Sequence, residues 1–128
     1  MDDLGYGDVS YNGASRLQTP NMDAMAMGGM RFNNGYATSA TCTPSRYALL
    51  TGVYPWREKR AKILPGTAPL IIGTEQMTIP RMLKGEGYHT AIIGKWHLGL
   101  GNGNVDWNKL VTPGPNQLGF DNSYICLL

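Results

Sequence analysis

Apolar and polar positions along the chain separate helix-like stretches from strand-like ones. Thr19-Pro20 offers a cap residue followed by proline at the first helical position, and Met22, Met25 and Ala26 then share a face before Gly28-Gly29. Residues 30–37 place Phe32 and Tyr36 on one side and predict a short strand. Pro44 suits a first helical turn, so Tyr47, Ala48, Leu49 and Leu50, closed by Gly52, predict a second helix with Cys42 at or just before its N-terminus. The stretch from Tyr54 to Leu70 reads as irregular, with Pro55, Pro65 and Pro69. A third helix opens near Thr78, carries Ile79, Met82 and Leu83 on one face, and ends at Gly85 or Gly87. Thr90 to Gly94 is short, apolar and glycine-bounded, the pattern of a buried strand, and Lys95 to Gly99 leads on into a Gly/Asn-rich loop. Helix, strand, then polar residues at the strand's carboxyl end is the order of an α/β domain, in which ligands bind at that edge. No internal repeat and no dividing linker stands out.

Composition narrows the class. The 128 residues include 17 Gly and 8 Pro, well above the roughly 12% of average usage, so the chain turns often. With 42% hydrophobic residues it still fills a core, and 16% charged residues exclude a disordered charged tail or a charged coiled coil. A net charge of +2 is too small to point to nucleic acid, and Arg57, Lys59, Arg60 and Lys62 read more simply as a solvated loop. Two cysteines, Cys42 and Cys126, build neither a disulfide scaffold nor a structural zinc site. The most apolar stretch, Ile63 to Ile72, contains Pro65 and Pro69 and falls short of the roughly 20 residues of a membrane span. Residues 1–5 lack the basic start and apolar stretch of a signal peptide, which places any export signal outside this sequence.

Three constellations carry chemistry. Asp2-Asp3 is a candidate site for a hard cation, because adjacent carboxylates repel unless neutralised; a solvated turn around Leu4 to Gly7 is the plainer alternative. Cys42 at a helix N-terminus, four residues before Arg46, lies in a field that favours a thiolate and an anionic substrate, although an unpaired cysteine is commonly a small buried apolar group. Its spacing to Arg46 is too short for the cysteine-phosphatase loop. If the strand runs on extended, Lys95 and His97 point to the same side, a cation and an imidazole able to bind an oxyanion and move a proton. A surface lysine with a satisfied histidine explains the same pattern equally well. His89 lies at a helix-to-strand turn without an evident partner and receives no role.

Taken together the motifs resemble those of the sulfatases. Cys42-Thr43-Pro44-Ser45-Arg46 and its continuation to Gly52 are similar to the signature that directs oxidation of the cysteine to formylglycine. Gly94-Lys95-Trp96-His97-Leu98-Gly99 resembles the second signature, and Asp2 to Asp8 resembles the N-terminal metal motif. Thr19 to Asp23 and Gly119-Phe120-Asp121 match recurrent segments in the same order.

The resemblance implies an α/β alkaline-phosphatase-like sandwich with a mostly parallel central sheet and flanking helices, residues 1–128 forming an N-terminal part of the catalytic domain without its first strand and C-terminal portion. It implies hydrolysis of sulfuric esters, small molecules or glycans, by a formylglycine made from Cys42 by a maturation enzyme. Asp2, Asp3 and the modified Cys42 would ligate Ca²⁺, with Mg²⁺ as the alternative. Arg46 would hold the formylglycine hydroxyls, Lys95 would bind sulfate oxygens, and His97 would hydrogen-bond the hydrated aldehyde. Asp121-Asn122 looks like the family's second metal pair but follows the Lys-x-His motif too closely and is set aside. The location implied is periplasmic, secreted or lysosome-like. A phosphonate or phosphodiester hydrolase of the same superfamily, or a non-catalytic truncated piece, are the other readings.

Overall fold

The computed structural model describes residues 4–127. They fall into two compact units that divide between Tyr36 and Ala37, a division not expected from the sequence.

In the first unit a short 3₁₀ turn, Tyr6–Asp8, is closed by the Asp8 carboxylate, which accepts from the Gly5 amide at 2.7 Å. A second turn, Ser10–Asn12, leads towards helix α1, Pro20–Gly28, which begins at the expected proline. A polar clasp joins them. Ser10 Oγ donates to Asp23 at 2.6 Å, Thr19 Oγ1 donates to the same carboxylate at 3.1 Å, and the Tyr11 amide donates to it at 3.1 Å. The Ser10 hydroxyl bond, first among these, holds the Asp23 carboxyl below the usual range. Among the described residues of this unit only Val9 is buried, so the clasp and not a core orders the segment.

The strand expected over residues 30–37 does not form; Phe32 and Tyr36 are exposed. Asn33-Asn34-Gly35 are turn formers, and alternation alone makes no strand without a neighbour to bond. Phe32 instead lines an open cleft of about 370 Å³ with Tyr6, Tyr11, Met22 and Met25, and the Arg31 guanidinium lies 5.0 Å from the Tyr11 ring centre.

The second unit holds the core. Helix α2, Cys42–Thr51, starts from extended Thr41 and ends at Gly52, whose φ of 68° gives a left-handed cap bonded back to Ala48. Helix α3, Ile79–Gly85, is capped by Thr78, whose hydroxyl accepts from the Arg81 amide and donates to the Leu118 carbonyl. Strand β1, Ala91–Lys95, pairs in parallel with β2, Asn122–Cys126, in register from Ala91 opposite Asn122 to Lys95 opposite Cys126. The pairing continues past the strand ends, with the Trp96 amide bonded to the Cys126 carbonyl and the His97 amide to that of Leu127.

Tyr47, Leu70, Ile71, Ile72, Trp96 and Leu98 form the centre of the core. Residues 68–71 lie against 98–101 through bonds Leu70 N to Gly101 O, Ile71 N to Leu98 O and Leu100 N to Ala68 O. Gly99 permits the approach: its φ is 78°, and a Cβ there would overlap the Pro69 carbonyl. The β1 strand, expected to be buried, has only one covered face, since Ile93 is 80% exposed while Ile92 packs on the core. Ile79 and Met82, which share the expected face of α3, are exposed, and Pro80 is the buried residue of that helix. Two strands and one layer of core offer no second surface to cover them among the described residues.

Candidate active site

Two chain segments more than fifty residues apart meet where β1 ends. Thr41, held extended, delivers the chain so that Cys42 is the first residue of α2, half-buried in the positive field of the helix start. Ser45 Oγ fastens this turn by donating to the Ser39 carbonyl at 2.6 Å. From the end of β1, the Lys95 ammonium donates to Cys42 Sγ at 3.5 Å. Arg46, one turn along the same face of α2, sends Nη1 to the Lys95 carbonyl at 2.7 Å. One lysine is thus tied to α2 at its backbone and reaches the cysteine with its side chain.

His97 departs from the expected geometry. The extended strand stops at Lys95, and His97 adopts φ 51°, a left-handed conformation that is uncommon for a residue with a Cβ and costs about 1 kcal/mol or more. It is held there by hydrogen bonds on both sides of the backbone. Thr43 Oγ1, fully buried, donates to the His97 carbonyl at 2.7 Å, and the His97 amide donates to the Leu127 carbonyl at 3.1 Å. The ring is buried as well. Its Nε2 lies 2.9 Å from the Leu64 carbonyl, while Nδ1 has no hydrogen-bond partner among the described residues.

The structure therefore gathers Cys42, Arg46, Lys95 and His97 around one strand end. Thr43, the Leu64 carbonyl and Leu127 are the supports that sequence reasoning missed; backbone acceptors leave no mark in a sequence, and Thr43 was legible only as a hydroxyl beside the cysteine. Asp2 and Asp3 lie outside the described residues. Asp8 serves the Gly5 amide. Asp121 is engaged by Lys84 at 2.6 Å and by the Thr90 amide at 2.9 Å, the Lys84 bond being the first cause that holds its carboxyl far below the ordinary range. His89, for which no partner was evident, lies 3.7 Å from Asp121, and its Nε2 accepts from the Asn122 side-chain Nδ2 at 2.7 Å. Arg60 of the basic loop is paired with Glu58 at 2.9 Å.

A sulfatase family model matches residues 1–125. The chain belongs to the sulfatase family. It is 51% identical over 125 residues to an N-acetylgalactosamine-6-O-sulfatase of Bacteroides thetaiotaomicron, covering 97% of this chain and 24% of the relative. It is 45% identical over 104 residues to human arylsulfatase A, covering 78% of this chain and 20% of that one. A solved structure from work on glycosaminoglycan metabolism by Bacteroides thetaiotaomicron superposes with a TM-score of 0.94 at 51% identity, covering 98% of this chain and 26% of the other. The sulfatase chain thus spans about a quarter of the length of these relatives. Its helices and small parallel sheet are an α/β arrangement, and the fold it shares with its solved relatives is alkaline-phosphatase-like. No helix among the described residues is long and apolar enough to cross a membrane.

Proposed function

We propose that the protein hydrolyses sulfate esters carried on sugars, using a formylglycine made from Cys42 by a maturation enzyme. The observation that carries the reading is the Lys95 ammonium 3.5 Å from Cys42 Sγ at the start of α2, with Arg46 bonded to the Lys95 carbonyl. A sulfate ester is an anion, so a nucleophile approaching it needs fixed positive charge nearby. Lys95 supplies that charge and binds sulfate oxygens, the α2 N-terminus adds its own field, and Arg46 holds the strand end and the modified side chain in place. The hydrated aldehyde would supply two hydroxyls on one carbon, one to attack sulfur and one to expel sulfate. His97 would take the proton of the second hydroxyl. The sugar preference is supported by the similarity to a protein named for N-acetylgalactosamine 6-O-sulfate.

Calcium belongs to the proposal at Asp2, Asp3 and residue 42. No group of three or more His, Cys, Asp or Glu stands together among the described residues, so these supply Cys42 alone and do not by themselves fit a metal centre. A periplasmic, secreted or lysosome-like location is proposed with the activity, and cell fractionation checks it.

The test is mass analysis of the residue-42 peptide in full-length protein from a host with the maturation enzyme, beside turnover of an aryl sulfate and an aryl phosphonate. Loss of the Cys42 sulfur with preferred sulfate turnover is expected. An unmodified thiol, or a clear phosphonate preference, overturns the reading.

A further inference from the structure

His97 has two ring nitrogens, and the fold treats them differently. Nε2 lies 2.9 Å from the Leu64 carbonyl, an acceptor with no proton to give. That contact is a hydrogen bond only if Nε2 carries the ring proton, which in a neutral imidazole leaves Nδ1 with a bare lone pair. Nδ1 is buried and has no hydrogen-bond partner among the described residues, and His97 as a whole is 7% exposed. A buried acceptor without a partner is rare and calls for an explanation. The backbone is fixed as well: the left-handed conformation of His97 is set by the Thr43 hydroxyl at its carbonyl and by Leu127 at its amide.

We infer a positioning clamp in which Thr43 fixes the backbone of His97 and the Leu64 carbonyl selects its Nε2–H tautomer, so that Nδ1 is the atom that accepts the proton at the active site. The inference rests on the proposed sulfatase chemistry but goes beyond giving His97 a role: it names the working nitrogen and the residues that choose it. Thr43 comes from the cysteine motif and Leu64 from the loop after α2. The motif therefore contributes the reacting side chain and, one residue later, the hydroxyl that aims its proton acceptor. A serine or threonine hydroxyl serves at position 43, whereas an isosteric valine would leave the His97 carbonyl without its partner.

Two isosteres separate the nitrogens. In His97→Asn the side-chain oxygen can occupy the place of Nδ1; in His97→Gln the amide reaches the place of Nε2 and leaves Nδ1 empty. In the full-length enzyme, with turnover normalised to formylglycine content at residue 42, neither amide accepts a proton, so H97Q and H97N both lower kcat for an aryl sulfate by about 100-fold or more, while only H97Q keeps a donor to the Leu64 carbonyl and with it the denaturation midpoint. Thr43→Val lowers kcat about tenfold at unchanged KM, and Thr43→Ser restores most of it, the split of a group that acts only as the reaction proceeds. Ring-nitrogen NMR of isotopically labelled histidine reads the tautomer directly, whether or not the enzyme turns over. Protonated Nε2 and bare Nδ1 in the wild type support the clamp. A proton on Nδ1, either His97 amide variant turning over like the wild type, or T43V matching wild type overturns it. A wild type without turnover, yet with the Nε2–H tautomer, sinks the sulfatase reading and leaves the clamp standing as geometry.

Discussion

Lys95 is attached through both backbone and side chain: its carbonyl accepts from Arg46 and its ammonium reaches Cys42. Lys95→Ala keeps the first and deletes the second, so it isolates the charge at the sulfur. Removal of one fixed positive group from a site of this kind costs about 100- to 1,000-fold in kcat/KM, and steady-state assay of the full-length variant with an aryl sulfate checks it. Thermal stability changes little, because the strand end stays tied. Gly99 gives the opposite signature. Gly99→Ala forces a Cβ into the Pro69 carbonyl at φ 78°, so stability falls by about 1–3 kcal/mol or more, read as a lower denaturation midpoint. At both positions the motif resemblance pointed to the residue. The physical reason needed the structure, because neither a backbone overlap nor a carbonyl partner is written in residue types.

Helix and strand ends account for most of what was legible. Thr19-Pro20, Pro44 with Gly52, and Thr78 mark the ends of α1, α2 and α3 as expected, since caps and breakers act through near neighbours. Thr78→Ala removes both the bond from the Arg81 amide and the bond to the Leu118 carbonyl; a loss of about 1–2 kcal/mol is expected in chemical denaturation. Elements that depend on distant partners were less legible. Residues 30–37 alternate but found no neighbour, while β2 went unrecognised because Asn122–Cys126 is a strand only against β1.

The tie between α3 and the start of β1 also predicts a pH response. Lys84, first, and the Thr90 amide hold the Asp121 carboxyl far below its unfolded value. The tie therefore contributes fully above the unfolded carboxylate range near pH 4 and is lost as pH falls towards the folded value, by linkage. Asp121→Asn removes that part of the acid-side slope, measured as denaturation midpoint against pH.

Across the whole molecule, order is unevenly distributed. Trp96, Ile71, Ile72, Leu98 and Leu118 are essentially inaccessible, whereas residues 30–37 are exposed almost throughout. Hydrogen-exchange mass spectrometry of the full-length protein should find peptides over 68–72 and 96–101 among the last to exchange and those over 30–37 among the first; the reverse order contradicts this distribution of burial. The α/β class was readable from the alternation of elements. The division at Tyr36 was not, because no proline-rich or charged linker marks it.

Sequence distance at the site has a consequence in time. Cys42 and Lys95 are separated by 53 residues, and the supports of His97 extend to Leu127. At about 5–20 residues per second a ribosome needs roughly 3 to 10 s to pass from one to the other. Throughout that interval the cysteine has left the decoding centre while its lysine does not yet exist. Any enzyme that must reach the bare thiol has this window, after which docking of the β1 end begins to close over it.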